Sequence, residues 1–63
     1  MKYTVVLQFD EEGVTASVPA LPGCVSEGDT EAEAMENVRI AVQEYLEALE
    51  HRLHGSNVRY VEV

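Results

Sequence analysis

Leu21-Pro22-Gly23-Cys24-Val25-Ser26-Glu27-Gly28-Asp29-Thr30 holds a chain reversal, a short strand and a helix start in one continuous stretch. Proline presets φ near −65° and glycine tolerates φ > 0, so Pro22-Gly23 turns the chain. Cys24-Val25-Ser26 leaves room for only a brief strand within the Leu21–Gly28 segment. Thr30 then stands as a helix N-cap, with Glu33 in the capping-box position. In this reading Pro22, Gly23, Cys24, Gly28, Asp29 and Thr30 form a structural motif that aims the following helix across a sheet.

On the N-terminal side, Tyr3, Val5, Leu7 and Phe9 alternate with Lys2, Thr4, Val6 and Gln8, the pattern of a half-buried strand. Asp10-Glu11-Glu12-Gly13 is a polar hairpin loop whose glycine can take positive φ. Val14, Ala16 and Val18 alternate with Thr15 and Ser17 in a second strand that Pro19 stops. On the C-terminal side the period changes. From Glu31 to His54, Met35, Val38, Val42, Tyr45 or Leu46, Leu49 and Leu53 make one apolar stripe of a helix, and Ala34 and Ala41 widen it with small side chains. Gly55 suits the residue just past the helix end. Such a helix spans roughly 36 Å, longer than the strands, so its last turns overhang the sheet.

Asn57 to Val63 reads as a final strand, with Val58 and Tyr60 on one face and Arg59, Val61 and Val63 on the other. The order is β-β-β-α-β: an α+β fold in which a three-stranded antiparallel meander carries one long helix on one face. A right-handed crossover can set the last strand parallel to the first. The face without a helix then holds Val6 and one set of apolar residues from the final strand. The chain is therefore expected to form a homo-oligomer through that face or a sheet edge.

Composition narrows the function. Sixty-three residues make a single domain, 1–63, small enough to want a disulfide, a metal or a partner chain. Cys24 is the sole cysteine, so no internal disulfide forms, and Cys24, His51 and His54 lack the spacing of a zinc site. No metal or other cofactor is implied, which leaves association with protein. Twelve acids against four Lys/Arg give a net charge of −8. That balance disfavours nucleic acid as a direct ligand, because phosphate backbones are held through Lys and Arg. It suits a basic protein partner, or simply keeps a small chain soluble. Without a signal core or a long apolar run, the chain reads as cytoplasmic, with no membrane contact.

Taken together, the N-terminal strand pair, the run from Leu21 to Ala34, Asn37 and the Tyr45-Leu46-x-x-Leu49 helix end resemble the HicB family, antitoxins of bacterial type II toxin–antitoxin systems. The resemblance implies a partial RNase H-like fold. It also implies a small basic partner, the HicA toxin, an mRNA interferase whose RNA surface and catalytic histidine the antitoxin covers. Many family members continue into a DNA-binding domain. The chain ends at Val63 with no residues for one, so direct operator binding is not expected.

Chemistry of the chain's own is disfavoured. A two-metal nuclease needs clustered carboxylates on its first strand, and Tyr3 to Phe9 carries none. Asp10, one helix glutamate and Glu62 would have to meet, which their spacing does not suggest. Cys24 as a nucleophile would need a base, and His51 and His54 sit at the far end of the helix. The candidate partner contacts are the hairpin acids Asp10, Glu11 and Glu12 and the helix acids Glu36, Glu44 and Glu47, each set being either a contact for a basic toxin or a solvated surface. The chain thus reads as a non-enzymatic, antitoxin-like binding module, or as a stand-alone homo-oligomeric domain with another protein or small ligand.

Overall fold

The computed structural model describes residues 2–53, 57 and 59–62. Strand β1 (Val6–Asp10), β2 (Gly13–Ser17) and β3 (Val25–Gly28) precede one helix, α1 (Glu31–Leu53). The sheet order is β1-β2-β3, antiparallel throughout. The register pairs Leu7 with Ala16 and Phe9 with Val14, and Ala16 in turn with Ser26. One sheet face therefore collects Leu7, Phe9, Val14, Ala16, Ser26 and Gly28, and α1 lies on it over β2 and β3.

Each turn follows from its residues. Asp10 and Gly13 pair across a two-residue loop. Asp10 Oδ1 accepts hydrogen bonds from the backbone N–H of Glu12 (2.8 Å) and Gly13 (3.0 Å). Between β2 and β3 the chain turns twice. Leu21 N donates to Val18 O at 3.0 Å, and Cys24 N donates to Leu21 O at 2.9 Å. The second is a type II turn with Pro22 leading and Gly23 at φ 83°, the geometry that excludes most side chains at that position. Val18 N to Cys24 O, at 3.0 Å, closes the loop and tucks Leu21 and Cys24 into the core.

The helix starts where Thr30 caps it. Thr30 Oγ1 accepts from Glu33 N at 3.1 Å, and Ala34 N reaches Thr30 O at 3.0 Å. Glu33 returns its carboxylate to Asp29 N at 3.0 Å, one residue earlier than an ordinary capping box would place it. Thr30→Ala should cost about 1 kcal/mol and lower the melting temperature by roughly 4–8 °C, while Thr30→Ser should keep most of it. Thermal melts followed by circular dichroism at 222 nm read this directly; equal melting of the alanine variant and wild type would remove the cap from the account.

The core is small and wholly apolar: Val14, Ala16, Val18, Leu21, Cys24, Ala34 and Val38 are buried, and no polar side chain among the described residues joins them. Tyr3, Val5, Leu7, Ala41, Val42, Tyr45 and Leu46 pack half-buried around it. Burial fades along α1, and Leu49 to Arg52 are exposed, as expected of a helix that outruns its sheet. Phe9 differs from its strand mates. It faces the helix side, but α1 lies over the other two strands, and the ring stays 65% exposed. The opposite sheet face is mostly polar, with Gln8, Thr15, Ser17 and Glu27 around Val6 and Val25.

The expected final strand over Asn57–Val63 is corrected. Asn57 and residues 59–62 lie outside any strand, while Val58 and Val63, like the helix end at His54 and Gly55, fall outside the described residues. An extended segment becomes a strand only when a neighbouring edge takes its backbone hydrogen bonds. Alternating apolar residues alone do not supply that edge. The described sheet ends at β1 on one side and β3 on the other, so it does not display the parallel fourth strand of an RNase H-like sheet.

Candidate partner interface

All twelve acidic side chains are described, and all are exposed. The hairpin brings some of them together. Asp10 and Glu12 line a shallow hollow of about 190 Å³ with Glu27 and Asp29 from the far end of β3. The pairing of Val14 with Gly28 sets the two turns side by side and so places these carboxylates around one opening. Glu27 and Asp29 were not among the expected contacts. Their signal in the sequence lay in the register, since a meander with a Glu11-Glu12 turn puts the end of β3 next to the end of β1's hairpin.

Asp10 has a second role, because its Oδ1 already holds the turn. Glu11 and Glu12 carry no such structural duty for their side chains and are the cleaner probes of a contact. The helix acids do not join the hollow. Glu36, Glu44 and Glu47 are exposed along α1, and Glu36 and Glu47 are separated by about 16 Å of helix rise. Glu36 is engaged by Arg39, whose Nε donates at 3.0 Å and Nη2 at 2.6 Å. That hydrogen bonding, with the guanidinium charge beside it, holds the Glu36 carboxyl below its ordinary range and raises Arg39. The pair cancels locally, which weakens Glu36 as a site for a basic partner.

Asn37 is a residue whose role sequence reasoning did not see. Its Nδ2 donates to Glu27 O at 2.7 Å, tying the helix to the outer side of β3. Among the described residues no three His, Cys, Asp or Glu side chains are grouped to hold a metal ion. Cys24 is buried beside the Pro22-Gly23 turn. Among the described residues no helix is long and apolar enough to cross a membrane.

The described residues thus make a small sheet-and-helix frame with exposed acids around an apolar core. The chain belongs to the HicB-like antitoxin family of bacterial toxin–antitoxin systems, which it matches over residues 3–62. Among curated proteins it is 48% identical over 50 residues to the UPF0150 protein Ta0767 of Thermoplasma acidophilum, covering 78% of this chain and 72% of that one. A UPF0150 protein of Archaeoglobus fulgidus is 38% identical over 66 residues, covering 100% and 96%. A third, from Helicobacter pylori, is 44% identical over 50 residues, covering 79% and 69%. No solved structure matches the chain.

Proposed function

We propose that this chain neutralises a small, basic HicA-type mRNA interferase by covering its active site, acting in the cytoplasm and without chemistry of its own. The observation that carries the reading is the placement of charge: every acid is on the surface, against four Lys/Arg in the whole sequence. Such a field steers a basic partner into encounter and opposes binding to RNA itself. Glu12, Glu27 and Asp29 around the hairpin hollow and Glu11 beside Glu12 in the turn are the proposed contacts, with Asp10 shaping the turn that presents them. Glu44 and Glu47 extend the acidic surface along the helix, and Glu36 contributes little beside Arg39. The chain also self-associates in this reading.

Co-expression with the product of the adjacent gene tests the antitoxin role. Growth arrest by that product should be relieved by this chain, and the two should copurify. Glu11→Gln with Glu12→Gln should slow association and flatten its salt dependence, since exposed charges act mainly on the on-rate. Absence of both rescue and copurification would favour the stand-alone module with another ligand. Retention unchanged by the double substitution at every salt concentration would remove the hairpin from the interface.

A further inference from the structure

We infer that the basic partner docks on the open face of the sheet, opposite α1, and that it does so with one amphipathic helix. Apolar residues of that helix meet Val6 and Val25, and its Lys/Arg residues meet Glu12, Glu27 and Asp29. This deepens the antitoxin reading above, on which it rests, by naming the surface and the element that covers it. The register lays the face out in rows. Val6, Ser17 and Val25 stand side by side across the three strands, and Gln8, Thr15 and Glu27 form the next row. Asp10 and Gly13 follow, where the face runs into the acidic hollow that Glu12 and Asp29 also line. Val6 is 44% and Val25 54% exposed, so the first row offers apolar side chains to solvent from both outer strands. Apolar contact is thus available at one end of the face and negative charge at the other.

Charge decides the occupant. None of Lys2, Arg39, Arg52 and Arg59 lies in a strand, so the sheet carries no positive side chain of its own. A second copy stacked on the same face would set like charge against like, whereas a basic protein meets its complement. The groove between Tyr3, Val5 and α1 makes no such choice, because Glu36 and Arg39 on its rim pair with each other. Dimensions decide the element. From Val6 to Asp10 the strand runs about 14 Å, and the outer strand axes lie about 10 Å apart. A helix about 10–12 Å across fills that width, and about nine residues of it span the length. The partner's apolar and basic side chains are therefore about two and a half turns apart on one side of its helix. Strand addition, by contrast, uses a sheet edge and leaves the face bare.

The test takes the full chain with the product of the adjacent gene as its partner. Val6→Lys with Val25→Lys should weaken binding about a hundredfold, roughly tenfold for each position, while Met35→Lys in the α1 groove should leave it within about twofold. Helix content should stay unchanged, since both valines are exposed. Val6→Thr with Val25→Thr keeps the β-branched shape and should weaken binding about tenfold, through the dissociation rate, with the association rate and its salt dependence as in wild type. Amide resonances of the isotope-labelled chain should shift on titration with the partner at Gln8, Thr15 and Val25 and hold still at Val42. Undiminished binding of both valine variants, or shifts confined to the α1 groove, would overturn the docking face and leave the antitoxin role standing. Absence of rescue and copurification would overturn both. A chain that is dimeric alone and becomes monomeric on Val6→Lys with Val25→Lys would give the face to a second copy and overturn the assignment.

Discussion

Gly28→Ala should be strongly damaging for so small a substitution, costing about 3 kcal/mol and lowering the melting temperature by more than roughly 10 °C. A Cβ at Gly28 would sit 2.6 Å from Ala34 N, 2.7 Å from Glu33 Cβ and 2.9 Å from Glu33 C. Two of these are backbone atoms of the capped first turn, so no rotamer change relieves the overlap. Lifting the helix would stretch Ala34 N to Thr30 O and Glu33 N to Thr30 Oγ1, the bonds that start it. Gly13 lies on the other side of the same seam, and its Cβ would come 2.5 Å from Gly28 O at a φ of 150°. Gly23→Ala is the control. Its Cβ would meet nothing within 4 Å, and its φ of 83° adds only conformational strain, on the order of 1–2 kcal/mol. Chemical denaturation of the three chains should therefore rank wild type, then Gly23→Ala, then Gly28→Ala. A Gly28→Ala midpoint above that of Gly23→Ala would refute the close approach of helix and sheet.

That seam shows what the sequence made legible and what it left hidden. Pro22-Gly23, the Thr30–Glu33 cap and the change of hydrophobic period at Glu31 are local signals, and the structure places a turn, a cap and a helix where they stand. Gly28 belonged to the same motif. The reason for its glycine is a contact with Glu33 and Ala34, which depends on the angle at which α1 meets β3 and is written in no spacing. The acids behaved similarly. Their surface placement followed from composition, but the grouping of Asp10 and Glu12 with Glu27 and Asp29 required the β2–β3 register. Asn37 was singled out only as part of the family pattern, and its bond went unread because a lone amide on a helix gives no clue to a carbonyl ten residues earlier. The segment from Asn57 onward was misjudged for a different reason. Periodicity reports which residues could share a face, and a strand also needs an edge to receive it.

Val38→Asp should unfold the chain at neutral pH and release it to refold in acid. Val38 is the largest fully buried side chain, 1% exposed against Val14, Ala16, Val18, Leu21, Cys24 and Ala34. No buried polar side chain stands among the described residues to receive a carboxylate there. An uncompensated buried charge costs about 3–5 kcal/mol, a large share of the roughly 3–9 kcal/mol expected of a chain this size. The sign of the pH dependence follows from burial. A carboxyl in this core titrates above its unfolded value of about 3.9, so stability is fully present below that value and is lost as pH rises through the folded one. Glu36 in the wild-type chain runs the other way: Arg39 lowers its pKa, so its contribution is present at neutral pH and lost as pH falls. Rescue of Val38→Asp near pH 4 would thus oppose the trend of that surface pair. Val38→Asn separates the two components of the penalty, being polar but unable to titrate, and should stay destabilised at both pH values. Denaturation midpoints at pH 4 and pH 7 for the three chains decide the matter. A Val38→Asp chain as stable as wild type at pH 7 would take Val38 out of the core.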